Sequence, residues 1–229
     1  FDSALSTATW AIDKIHTTAQ SHHRVMIVEV MGRYAGWLAL GSGLAGGGDI
    51  ILMPEIPYDL NAVCTKIKHR TSQGKNFSIV VVGEGARPAG GEMVVKQRVK
   101  NSPDAIRLGG VSNVIAAQLE GLINIECRVT ILGHLLRGGS PSAFDRILAT
   151  RLGVEATRRV AAGERNKVIV VRGNDLNAIP LADVAGKLRK VTPDHPWVQA
   201  AVATGVSLGV PDEVSIEEFL NLIEEPAGV

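Results

Sequence analysis

Apolar side chains fall at Leu5, Ala8, Ile12, Ile15 and Ala19, a three-and-four spacing that keeps them on one face and predicts a helix over 2–19. Asp2 or Ser3 is placed to cap it. After the polar run Ser21-His22-His23 comes Val25-Met26-Ile27-Val28-Glu29-Val30. That run is too continuously apolar for a half-exposed strand and is of the kind buried on both faces in a parallel sheet. The alternation then repeats. Residues 33–46 are rich in Ala, Leu and Gly and suit a tightly packed helix, and 49–53 read as a strand ending at Pro54. A helix is predicted over 59–72, a strongly buried strand over 78–82, an irregular Gly-rich excursion over 86–104 and a helix over 105–121. A strand follows over 128–132. Ser140 is then set to cap a long helix opened by Pro141, with Phe144, Ile147, Leu148, Leu152 and Val160 as its apolar face. Residues 167–171 are the last clear strand, 174–190 are mixed and short, and 195–208 form one more helix. Strand alternating with helix, with Val/Ile runs in the strands, means an α/β fold: a parallel sheet with right-handed crossovers.

Composition narrows the function classes. The chain has 229 residues with a formal charge of +1, so no global field draws it to nucleic acid or to an acidic membrane. Any anion site has to come from local clustering. No run of 18 apolar residues occurs, which excludes a helical membrane span, and the start of the chain lacks a secretory pattern. Cys64 and Cys127 sit in apolar stretches without zinc spacing, so reduced, buried thiols in a cytoplasmic protein are expected and no metal site is predicted. The chain opens on Phe1-Asp2-Ser3 directly in helical periodicity, as if entered part-way through a domain.

Parallel sheets bind ligands beyond the carboxyl ends of their strands. There the sequence places Met31-Gly32-Arg33, then Gly83-Glu84-Gly85, then Gly133-His134-Leu135-Leu136-Arg137-Gly138-Gly139-Ser140. Each turn sets glycine, which lets backbone approach a ligand, beside a charged side chain. Arg33, His134 and Arg137 with Glu84 suit a phosphorylated, hydroxyl-rich ligand: the cations pair with phosphate and the carboxylate accepts from hydroxyls. Arg24 and Arg128 lie at strand starts and cannot reach the same crevice within one subunit. Two other strings are set aside. Gly41-Ser42-Gly43-Leu44-Ala45-Gly46 matches a dinucleotide fingerprint, but it follows helical residues and no acid occurs from 60 to 83 for the ribose. Gly74-Lys75 lacks the remainder of a P-loop.

Two longer strings resemble signatures of the 6-phosphofructokinases. One is Val28-Glu29-Val30-Met31-Gly32-Arg33-Tyr34-Ala35-Gly36-Trp37, and the other runs from Leu132 through Pro141 to Arg146. The similarity extends from residue 1 to about 172. It implies a parallel-sheet three-layer sandwich, incomplete here, with 1–135 as a fructose 6-phosphate-binding domain and 136–229 returning to a donor-binding domain and a C-terminal helix. It implies phosphoryl transfer from ATP to the 1-hydroxyl of fructose 6-phosphate in glycolysis, with Mg2+ whose ligands lie outside this chain. By the resemblance Met31, Gly32 and Arg33 hold the sugar phosphate, Glu84 takes sugar hydroxyls, and His134 and Arg137 take the 6-phosphate. Arg24 and Arg128 reach a neighbouring subunit's sugar phosphate in a homotetramer. Arg33 is the one residue with an expected catalytic part, neutralising charge in the transition state.

The family's Gly-rich donor loop and its Thr-x-Asp-x-Asp base segment appear nowhere in the sequence. Phosphoryl transfer depends on positioning donor and acceptor together. The chain is therefore expected to be the acceptor half and inactive alone. Pyrophosphate in place of ATP, and a non-catalytic sugar-phosphate-binding module, are the alternatives; a dinucleotide-dependent oxidoreductase is a third that the missing ribose acid disfavours. Where regulated bacterial members carry basic effector residues, this chain has His16 and Gln73, and only Lys75 keeps the charge. That departure counts against nucleotide activation and leaves the allosteric effectors open.

Overall fold

The computed structural model describes residues 1–20, 24–98 and 106–224. Its helices and strands run α1 (Asp2–Gln20), β1 (Val25–Val30), α2 (Trp37–Ala45), β2 (Ile50–Leu52), α3 (Leu60–Ser72), β3 (Ser78–Gly83), β4 (Val95–Arg98), β5 (Ile106–Leu108), α4 (Val111–Ile123), β6 (Cys127–Ile131), α5 (Ala143–Ala161), β7 (Lys167–Arg172), β8 (Asp175–Pro180), α6 (Pro196–Ala203) and α7 (Ile216–Glu224). The predicted parallel sheet is present, in the order β2-β3-β1-β6 with every pair parallel.

The alternation of side chains along β1 explains the layers. Met26, Val28 and Val30 point into one core with Ala8, Ile12 and Ala19 of α1, Leu38 and Leu40 of α2, and Val198 and Ala201 of α6. Val25 and Ile27 point into the other with Val63 and Ile67 of α3 and Val111, Ile115 and Leu119 of α4. Helices cover both faces, which is why β1 and β3 carry apolar residues at successive positions. Beyond β2 the sheet edge is closed by residues returning from the C-terminal region: Ile51 N donates to Ser207 O at 2.9 Å, and Ser207 N donates to Asp49 O at 3.1 Å.

Two compact units result, one of 4–138 with 190–229 and one of 1–3 with 139–189. The expected division at 135/136 falls beside the first break. Residues 190–224, however, belong with the sheet, because α6 and the 207–209 strip bury apolar residues there. Within the smaller unit, the predicted strand at 167–171 joins no parallel sheet. It pairs antiparallel with β8, a strand the sequence reading missed, in a two-residue hairpin. The long helix is capped by Ser142, whose hydroxyl accepts from Asp145 N at 3.2 Å, and not by Ser140. Of its expected apolar face, Leu148 and Leu152 are half-covered while Phe144, Ile147 and Val160 are exposed.

One other boundary moved. The helix expected from 105 begins at Val111, because β5 occupies 106–108 and Gly109 and Gly110 turn the chain with φ of 138° and 86°. Only glycine adopts those angles readily. No range was predicted for α7, and residues 99–105 of the expected excursion lie outside the described part.

Candidate functional site

The carboxyl ends of β1, β3 and β6 open onto a hollow of about 400 Å3, within the range of small-molecule sites. Val30 and Met31 follow β1, Glu84 follows β3, and Gly133 and His134 follow β6; the far wall is Gly109, Gly110 and Asn113 at the start of α4. Of the residues singled out from the sequence, Met31, Glu84 and His134 therefore share one cavity.

The turn after β1 is held against the turn after β3. Glu84 N donates to Val30 O at 2.9 Å and Gly85 N to Gly32 O at 3.1 Å. The approach is so close that a Cβ on Gly85 would stand 1.8 Å from the carbonyl oxygen of Arg33. That contact is the reason glycine follows Glu84. Gly32 N also points at Glu84 Oε1, at the 3.5 Å limit of a hydrogen bond.

Arg33 and Arg137 are not among the residues lining the hollow. Arg137, at the end of a short 3-10 turn that begins at Gly133, donates from Nε to the sulfur of Met31 at 3.2 Å and so stands behind a lining residue. The Arg33 guanidinium lies 5.7 Å from the centre of the Tyr34 ring, in cation–π range. Arg24 and Arg128 are at the amino ends of β1 and β6, the opposite edge of the sheet, and both pair with the carboxylate of Glu126. Parallel register sets Val25 beside Cys127, which puts Arg24 next to Glu126.

Glu29 was not foreseen as part of this site. It lines the hollow yet is only 3% exposed, and it is spent on the fold: Oε1 accepts from Gly110 N at 3.2 Å, and Oε2 accepts from Ser112 N at 3.0 Å and Ser112 Oγ at 2.5 Å. Gly110 has no side chain with which to cap α4, so β1 supplies the cap from 81 residues away. The signal available in the sequence was one acid inside an otherwise apolar strand. Among the described residues no group of three His, Cys, Asp or Glu is disposed to hold a metal. With Glu29 committed to α4, the hollow does not fit a magnesium site.

A second polar group lies on the β2 side of the sheet. Asp49 pairs with Arg70 at 2.8 Å and accepts from Ile79 N at 2.8 Å. Burial nevertheless pushes its carboxyl above the ordinary range, against the pull of the Ile79 N–H and the Arg70 charge. His16 Nε2 is hydrogen-bonded to Gly46 O at 2.8 Å, and Gln73 turns to His69. Both thiols are buried; desolvation, with the nearby Glu120, pushes Cys127 up to about 12, and burial also raises Cys64. Among the described residues no helix is long and apolar enough to cross a membrane.

Comparison with known proteins gives a consistent picture. The family model described as phosphofructokinase matches residues 1–160. ATP-dependent 6-phosphofructokinase 2 of Clostridium perfringens is 49% identical over 208 residues, covering 90% of this chain and 57% of that protein. The ATP-dependent 6-phosphofructokinase of Chloroflexus aurantiacus is 49% identical over 210 residues, covering 91% and 57%. The chain thus spans a little over half the length of these curated relatives. Among solved structures, phosphofructokinase from Saccharomyces cerevisiae aligns with a TM-score of 0.67 at 28% identity over 96% of this chain and 26% of that one. A pyrophosphate-dependent phosphofructokinase from Marinobacter aquaeolei aligns with the same TM-score at 22% identity, over 96% and 54%, a likeness of fold alone.

Proposed function

Since this chain belongs to the phosphofructokinase family, we propose that it is the acceptor-binding part of an ATP-dependent 6-phosphofructokinase and that its hollow takes fructose 6-phosphate. The observation that carries the reading is the convergence of Met31, Glu84 and His134 from three separate turns on one cavity at the carboxyl ends of the strands. Glu84 accepts from sugar hydroxyls. His134 meets the 6-phosphate, and Arg137 joins it by turning from the Met31 sulfur toward the rim. Met31 and Gly32 form the wall along which the sugar lies. Arg33 enters from beside Tyr34 when the donor is present and balances the charge that develops on the moving phosphoryl group.

ATP as donor is supported by the relatives named ATP-dependent, which are 49% identical to this chain over the aligned residues. Magnesium would accompany the nucleotide and be held by residues outside the span described here. Arg24 and Arg128, gathered by Glu126 on the opposite edge of the sheet, serve the sugar phosphate of a neighbouring subunit in a tetramer. That arrangement puts a cationic pair where its own hollow cannot use it.

One experiment tests the reading. The chain is joined to the amino-terminal part of the Clostridium perfringens relative and assayed for fructose 1,6-bisphosphate with ATP and with pyrophosphate side by side. Product with ATP alone is expected. Product with pyrophosphate alone would reject the donor, and no saturation by fructose 6-phosphate with either would reject the site.

A further inference from the structure

The backbone entering α2 carries Met31, Gly32 and Arg33, and its exit point is Gly36. Gly36 precedes the helix without a side chain to cap it. The missing acceptor comes from Glu55, beyond β2: both carboxylate oxygens accept from the Gly36 N–H, at 3.0 and 2.9 Å. Oε1 also accepts from Val191 N at 2.9 Å. One side chain therefore joins the start of α2, the exit of β2 and the stretch that returns to the sheet from residue 190. A second tie links the same parts, because the Trp37 ring meets His195 edge-on at 4.9 Å and Trp197 at 6.4 Å.

The other end of this turn is held as firmly, by Gly85 N on Gly32 O and by the close seat of the Arg33 carbonyl over Gly85. Residues 32–36 are thus pinned at both ends, and Glu55 does not itself line the hollow. It touches no ligand but fixes the backbone from which Met31, Gly32 and Arg33 project.

We propose that Glu55 is a positioning residue for the sugar-phosphate turn, acting by bridging Gly36 to Val191. The proposal rests on the reading of the hollow as a fructose 6-phosphate site. What matters is reach: the bridge needs one acceptor oxygen within range of both N–H groups. Aspartate keeps the charge but withdraws the carboxylate by one methylene, about 1.5 Å. Glutamine keeps the length and one acceptor oxygen and gives up the charge.

The test uses Glu55→Asp and Glu55→Gln in the full 229-residue chain. Asp59→Ala serves as a control, since it weakens a helix cap elsewhere, where Asp59 accepts from Asn61 N. Two quantities are read: the fructose 6-phosphate dissociation constant by calorimetry, and amide hydrogen exchange at 32–36 and Val191 by NMR without ligand. Glu55→Asp is expected to weaken binding at least tenfold and speed exchange at Gly36 and Val191 at least tenfold. Glu55→Gln should stay within threefold of wild type on both, and Asp59→Ala should lower the melting temperature while moving neither. Binding within twofold of wild type in Glu55→Asp overturns the proposal. So does a Glu55→Gln variant as impaired as Glu55→Asp, or an equal loss of affinity in Asp59→Ala. If the wild-type chain fails to bind fructose 6-phosphate, the reading of the hollow is rejected instead. Exchange then decides the positioning role alone, and unchanged exchange in Glu55→Asp overturns it.

Discussion

Replacing Glu29 with alanine removes the acceptor for three hydrogen bonds at once, from Gly110 N, Ser112 N and Ser112 Oγ. A bond to an ionised group contributes about 1.5–3 kcal/mol, and a buried donor left without a partner costs about 1–3 kcal/mol. The three bonds share one carboxylate and do not sum independently, so a loss of about 3–5 kcal/mol is expected. Against a total stability of about 5–15 kcal/mol that is a large fraction. At roughly 2–4 °C per kcal/mol for a chain of this size, the midpoint of thermal unfolding should fall by about 6–20 °C. Urea unfolding followed by circular dichroism at pH 7 measures the change directly. Ser112→Ala alone should cost about 1.5–3 kcal/mol. The double variant should cost at least about 1 kcal/mol less than the two single losses together, since its hydroxyl is worthless once its acceptor has gone. If Glu29→Ala costs under about 1 kcal/mol, or if the two substitutions add without coupling, the capping role assigned to β1 is wrong.

Other expectations concern the hollow, the far edge of the sheet and the thiols. His134→Ala should weaken fructose 6-phosphate binding by about 1.5–3 kcal/mol, roughly tenfold to a hundredfold, in calorimetry at pH 6.5; an unchanged affinity would take the imidazole out of the site. Arg24→Ala should reduce that affinity only in assembled protein, so sedimentation and binding are measured on the same samples. Equal loss in monomers would argue against a shared site. Cys127 has a thiol pKa raised to about 12 by burial. Its contribution to stability is complete below the unfolded thiol value of about 8.5 and is lost as pH climbs through the folded value. The urea midpoint should therefore drop between pH 8 and 10, and drop less in Cys127→Ala. Thiol reagents at pH 8 should label neither cysteine in the folded chain and both in guanidinium.

The sheet was readable in the sequence because its strands are buried on both faces, so that Val25–Val30 and Ser78–Gly83 leave no polar alternation to confuse with anything else. The glycine-and-charge turns were readable for a related reason, since residues after parallel strands share one edge whatever the rest of the fold does. What escaped depended on contacts between distant segments. Nothing near Glu29 announces that it caps a helix beginning at Val111, and nothing near Gly36 points to Glu55. Helix starts were misplaced where the cap was one of several candidates: Ser140 and Ser142 are equivalent until the Asp145 N–H is seen to meet one of them. The strand at 167–171 was recognised but misassigned, because a Val/Ile run looks the same in an interior strand and in an isolated hairpin. The aim of Arg33 and Arg137 was beyond reach as well; long side chains take their direction from neighbours such as Tyr34 and Met31.

None of the described buried apolar residues falls between 139 and 189. That stretch keeps its shape through backbone pairing, helix caps and half-buried apolar side chains, with no fully buried interior to make its opening costly. Warming the chain should therefore melt it in stages, the hairpin and its helix loosening while the four parallel strands still hold. A protease added during that interval would sever the backbone near Arg189-Lys190 and leave the sheet whole.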